Sequence, residues 1–140
     1  MASIRKEVVI DAEPAAVWSA LRDFGALHER LAPGFVVDTQ LEGDERTVTF
    51  FNGAVARELL VATDDDARRL AYSIVDGPLP ITHHNASAQV LDESDGRSRF
   101  VWIADVLPDD VAATMSGLME QGAAAVKKAL EQLTEAGRST

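Results

Sequence analysis

Residues 108–136 read PDDVAATMSGLMEQGAAAVKKALEQLTEA, and this stretch decides the fold. Pro108 followed by Asp109 and Asp110 is a helix-start signal: a residue preset for the first turn, then negative charge at the positive end of the helix dipole. Val111, Met115, Leu118, Met119, Gly122, Val126, Leu130 and Leu133 recur at spacings of three and four, which places them on one helical face. Gly137, with Arg138 beside it, is a stop signal. At about 1.5 Å per residue such a helix is roughly 40 Å long, enough to cross a small domain. Its apolar face needs a large partner, and the chain upstream reads as a sheet built to supply one.

That sheet starts with a Val- and Ile-rich strand at Ile4–Asp11. Pro14 follows a break, and Val17, Trp18 and Leu21 form one face of a short helix at Ala15–Arg22. Asp23 is placed to cap a second short helix, Phe24–Leu31, which ends before Ala32-Pro33-Gly34. From Phe35 the period changes to that of strands: Phe35–Glu42, Arg46–Asn52, Val55–Thr63, Arg68–Asp76, His84–Leu91 and Arg97–Leu107. The links between them are mostly short and turn-rich, as between antiparallel neighbours, and Asn52-Gly53 is the sharpest hairpin signal. Gly77-Pro78-Leu79-Pro80 is longer and stiffer, able to arch over an opening. The expectation is one α+β domain over residues 1–140, a seven-stranded antiparallel sheet against one long C-terminal helix, with residues 137–140 a disordered tail.

Composition narrows the function. The chain has 140 residues and a formal net charge of −10, so phosphate backbones and anionic membrane surfaces would repel it; nucleic acid is not an expected partner. It holds no cysteine, which removes disulfides and thiolate metal sites. No run approaches the eighteen or so apolar residues of a membrane span, and the N-terminus enters a strand pattern directly, so the expected compartment is the cytoplasm. Asp64-Asp65-Asp66 reads as a solvated turn, because three consecutive side chains do not converge easily on one ion.

Several residues carry a resemblance. Ile10-Asp11-Ala12 with Pro14, Ala16-Val17-Trp18 with Leu21, Asp23-Phe24, Arg57-Glu58 and Arg69-Leu70-Ala71-Tyr72-Ser73-Ile74 all contribute to it. So do Trp102 late in the last strand and Pro108 before the terminal helix. Together with the element order over about residues 3–135, the chain resembles the helix-grip fold of the START and birch-pollen-allergen superfamily, SRPBCC, and within it the polyketide cyclase/dehydrase-like bacterial branch. The resemblance implies a hydrophobic pocket between a curved sheet and the long helix, with the two short helices and loops at its mouth. The superfamily includes lipid and hormone binders, cyclases, dehydratases and proteins with no known catalysis. Independently of it, Met115, Met119 and Gly122, with Ala123 to Ala125 beside them, combine adaptable and small side chains suited to a cavity, though also to ordinary core packing.

The candidates for chemistry lie on the strands. His83 and His84 are neighbours, so on a strand one imidazole at most enters a pocket, which argues against a two-histidine metal site; no metal is expected. Histidine is the natural general base near neutral pH. Arg57 and Glu58 likewise face opposite sides, and whichever points inward needs a partner or a ligand. Glu58, His84 and Arg57 are the catalytic candidates, with Asp105 a weaker one. Trp18, Phe24, His28, Phe50, Tyr72, Trp102, Met115 and Met119 are the expected ligand-binding residues, Tyr72 and Trp102 each offering a hydrogen-bonding edge. The chain carries no nucleophile elbow, phosphate loop or dinucleotide fingerprint, and no cofactor is expected.

The leading expectation is binding of a small, largely apolar molecule: a lipid, polyketide or aromatic metabolite. The alternative is a polyketide cyclase, aromatase or dehydratase acting on such a molecule. A third class is an interaction module or homodimer without a ligand, because Val101 and Ile103 alternate with Phe100 and Trp102 and leave the last strand apolar on both faces.

Overall fold

A computed structural model describes residues 2–138. It shows seven strands, β1 (Ala2–Ile10), β2 (Val36–Glu42), β3 (Glu45–Phe50), β4 (Val55–Asp64), β5 (Arg69–Asp76), β6 (His83–Asp92) and β7 (Ser98–Leu107). They form one antiparallel sheet in the order β1-β7-β6-β5-β4-β3-β2. The meander from β2 to β7 follows the short turns, and β1 closes it by pairing along β7 from Ala2↔Val106 to Ile10↔Ser98. Between β1 and β2 lie helix α1 (Pro14–Arg22), a 3₁₀ turn (Phe24–Ala26) and a π-helical turn (Leu27–Leu31). A 3₁₀ turn at Asp109–Val111 leads into the long helix α2 (Ala112–Arg138). The architecture is α+β, a curved sheet gripping a long C-terminal helix.

Local chemistry accounts for the joints. Gly53 adopts φ 83° in the β3–β4 turn, a conformation open to glycine, and Asn52 Oδ1 accepts the Ala54 N–H at 3.1 Å to complete the turn. In the acidic turn after β4, Asp64 Oδ1 accepts the N–H groups of Asp66 and Ala67. Its neighbour Asp65 Oδ1 accepts from Trp18 Nε1 at 3.0 Å and from Arg22 Nε at 2.9 Å, so the turn anchors α1 to the sheet.

Three details differ from the sequence reading. Phe24–Leu31 is two irregular turns rather than one helix, and Asp23 makes no capping bond; its carboxylate accepts from Arg30 instead. The long helix runs through Gly137, so that glycine is no stop; Ser139 and Thr140 of the expected tail lie outside the described residues. Leu133 is 64 % exposed, because the apolar stripe outlasts the surface that covers it. On β7, Val101 is buried on the outer face between Glu7 of β1 and Gln89 of β6.

Candidate functional site

The inward positions of the strands alternate as a pleated sheet requires. Arg46, Val48 and Phe50 on β3, Ala56 and Glu58 on β4, Tyr72 and Ile74 on β5, His84 on β6, and Phe100, Trp102 and Ala104 on β7 share the concave face. Opposite them stand Met115, Leu118, Met119 and Gly122 of α2. Between the two surfaces lies a cavity of about 290 Å³ with a predominantly apolar wall. It reaches the β3–β4 turn, the Gly77–Ile81 segment and the first turns of α2, which places the stiff Gly-Pro link at its rim.

Four polar groups interrupt the apolar wall on the sheet side. Arg46 and Glu58 face each other across β3 and β4 and are 6 % and 5 % exposed. Arg46 Nε donates to Glu58 Oε1 at 2.8 Å and its Nη2 lies 2.8 Å from the same oxygen. Nη1 donates to the Phe24 carbonyl at 3.2 Å, and the guanidinium lies 3.8 Å from the centroid of the Phe24 ring. A buried charge pair costs desolvation that only such dense partnering offsets.

The other two groups are neutral. Tyr72 is buried, and its phenol accepts from Trp102 Nε1 at 3.0 Å; no acceptor for the phenol's own proton exists among the described residues. Burial first, then the Glu58 charge, pushes the Tyr72 pKa well above the ordinary tyrosine value. His84 is 5 % exposed. Burial, reinforced by His83 and opposed by Asp105, lowers its pKa to about 4. Its Nδ1 accepts the backbone N–H of Ile74 at 2.9 Å, which assigns the proton of the neutral ring to Nε2.

The reason for that bond lies in the sheet. The β5–β6 ladder ends at Tyr72↔Ala86, where the strands part toward the Gly77–Ile81 segment. Beyond that point the His84 ring takes the N–H of Ile74, and Ser73 Oγ reaches the His84 carbonyl at 2.6 Å. The imidazole therefore stands in for a missing backbone partner, and its residue lines the cavity.

Of the residues singled out from sequence, Glu58, His84, Phe50, Tyr72, Trp102, Met115 and Met119 line the cavity. Four do not. Arg57 points outward and bridges Glu45 at 3.2 Å and Asp76 at 3.6 Å, because strand parity gives the interior to Glu58. Trp18 is buried but turns its indole N–H to Asp65. Phe24 lies behind Arg46 rather than on the wall. His28 lies within the π-helical turn with Nε2 3.1 Å from Glu29 Oε1, its buried Nδ1 lacking a hydrogen bond. Asp105 faces outward, where it accepts from Ser3 Oγ. Sequence reasoning missed Arg46, whose signal was its place opposite Glu58 in a hairpin symmetric about Asn52.

Comparison with known proteins sets this geometry in context. No curated protein matches the chain in sequence. Among solved structures, a Thermobifida fusca protein determined by solution NMR is 32 % identical, with TM-score 0.72 over 87 % of this chain and 85 % of that one. XoxI from Bacillus cereus is 24 % identical with TM-score 0.84, covering 96 % of this chain and 99 % of its own. The di-domain ARO/CYC protein BexL of the BE-7585A biosynthetic pathway is 15 % identical with TM-score 0.81, covering 96 % of this chain and 48 % of that larger one; this likeness shows the fold alone. Residues 1–133 match the family described as polyketide cyclase / dehydrase and lipid transport. The chain belongs to that family.

Proposed function

We propose that the protein binds a small, largely hydrophobic molecule in the cavity between the sheet and α2. The observation that carries this reading is the cavity itself: about 290 Å³ with a mostly apolar wall, where packed interiors leave few voids larger than a water. Its size and its few convergent polar groups suit a small-molecule site, with Phe50, Tyr72, Trp102, Met115 and Met119 as contact surface. Native mass spectrometry of freshly purified protein, followed by denaturing extraction, tests it. A co-purifying lipid or aromatic metabolite supports the reading. If none is found, titration with small aromatic probes decides, and no saturable binding overturns it.

A second reading, a cyclase- or dehydratase-type enzyme, draws on one observation. Two titratable groups with displaced pKa values, Tyr72 and His84, meet a buried ion pair on one cavity wall, and such clusters are enriched at active sites. In this arrangement Tyr72 and His84 are proton-bearing donors at neutral pH. Glu58 is then the candidate base: Glu58→Gln should abolish turnover, and probe titration of the same folded variant separates lost chemistry from a site disturbed by the unpaired Arg46.

A further inference from the structure

The four polar groups around the cavity do more than interrupt its apolar surface; together they define which polar group a ligand can bring inside. Arg46 and Glu58 form an ion pair, so they add no net charge. Tyr72 and His84 are both uncharged at neutral pH. An ammonium or carboxylate entering this space would lose its hydration without meeting an unpaired opposite charge, which is costly. An uncharged oxygen acceptor meets no such penalty.

Donors for that acceptor are present. His84 Nδ1 is occupied by the Ile74 N–H, so its Nε2–H has no acceptor among the described residues. The Tyr72 oxygen is occupied by the Trp102 N–H, so its phenolic hydrogen is the free element. The two rings are neighbours, with centroids 5.7 Å apart, on adjacent strands at the place where the β5–β6 ladder ends. Each side chain is held by a backbone or indole N–H, so neither ring needs to reorganise to donate.

Resting on the cavity reading above, we infer that His84, with Tyr72, is a specificity-determining donor that selects uncharged ligands bearing a carbonyl-type oxygen over both the matching hydrocarbons and the matching carboxylates. The imidazole gains this role from a structural defect: it fills the gap left by the ladder on one edge and reads the ligand with the other.

The test uses three tricyclic probes of one shape, fluorene, 9-fluorenone and fluorene-1-carboxylate, titrated into the full chain by calorimetry. The ketone should bind about three- to tenfold tighter than the hydrocarbon, the range of one net hydrogen bond, and the carboxylate weakest. His84→Phe should bring the ketone down to the hydrocarbon without weakening the hydrocarbon. Tyr72→Phe, which keeps the ring, gives the same reading independently if His84→Phe fails to fold. Tightest binding of the carboxylate, or a ketone preference that survives Tyr72→Phe and any folded His84 variant, overturns the inference. Equal binding of fluorene and fluorenone overturns it while leaving the cavity reading intact. Failure of all three probes to bind overturns it, and overturns the cavity reading as well where no ligand co-purifies.

Discussion

The C-terminal half of α2 is pinned to the sheet, whereas the N-terminal half stands off from it. Toward the C-terminus Leu130 is 1 % exposed. There Lys127 Nζ donates to the Val9 carbonyl at 2.6 Å, and Glu131 accepts from Lys127 at 2.7 Å and from the Asp11 N–H at 2.9 Å. One turn of side chains thus fastens the helix to the end of β1 and the loop after it. Toward the N-terminus, Met115, Leu118 and Met119 border the cavity, whose far wall carries the Arg46–Glu58 pair, while Gly122 lies against the Trp102 and Phe35 rings. The same apolar stripe closes a core at one end and a cavity at the other. What differs is the stripe itself: an aliphatic side chain and a tether at one end, small or flexible side chains at the other.

The sharpest way to break this comparison is a matched pair of truncations. Leu130→Ala should cost about 2–5 kcal/mol, because it opens a hole in a packed region. Met119→Ala should cost about 1–2 kcal/mol, because a side chain that borders empty space has fewer partners to lose. Urea midpoints at constant m-value measure both. Equal costs would mean that the two halves are packed alike and that the cavity is not a stable feature.

A second difference concerns charge. The pinned half meets its partners through exposed or half-exposed ions, whereas the cavity wall carries a buried histidine. Its folded pKa lies near 4, below the ordinary value of about 6.5 for an unfolded chain. Above pH 6.5 both states are neutral at this ring. As pH falls below 6.5 the unfolded chain takes up the proton first, so the folded state loses stability progressively down to about pH 4. The full loss attributable to His84 is about 3 kcal/mol at 1.36 kcal/mol per pKa unit. The measurement is urea stability from pH 7.5 to 4 for wild type and His84→Gln, the difference between the curves isolating the ring from the many surface carboxylates. Parallel curves would show that the imidazole is not held neutral by burial.

This contrast was only half legible in the sequence. The helix, the seven strands and the antiparallel meander follow from periodicity and turn chemistry, whereas no turn signals the pairing of β1 with β7; strand parity alone puts Glu58 and Arg57 on opposite faces. Which of them faces in depends on β3–β4 register, and register depends on where the Asn52-Gly53 hairpin is centred. With the centre on Asn52, Arg46 falls opposite Glu58, and the inward carboxylate acquires a partner that composition could not assign. Trp18 and Phe24 carry an apolar face in sequence, but so does any residue that supports a wall from behind. Their distance from the cavity is set by the irregular turns at Phe24–Leu31, which no periodic pattern encodes. The bond between His84 and Ile74 is similarly invisible, since it exists only where two strands part.

The smallest expected effect sharpens the comparison most, because it sits on the boundary between the two halves. A Cβ on Gly122 would stand 3.0 Å from Trp102 Cζ3 and 3.1 Å from Phe35 Cε2, so both rings must give by a few tenths of an ångström. Phe35 and Trp102 border the cavity, which leaves them room to do so, and the helix gains up to about 1 kcal/mol when alanine replaces glycine. Gly122→Ala should therefore leave stability within about 1 kcal/mol of wild type. The rings it displaces move into the space a ligand would occupy, so probe affinity should fall severalfold although the fold is unharmed. Thermal melts and the fluorenone titration read the two effects separately. A loss of stability without a loss of binding would mean that Trp102 and Phe35 are wedged in place, and that the N-terminal half of α2 is as tightly fitted as the C-terminal half.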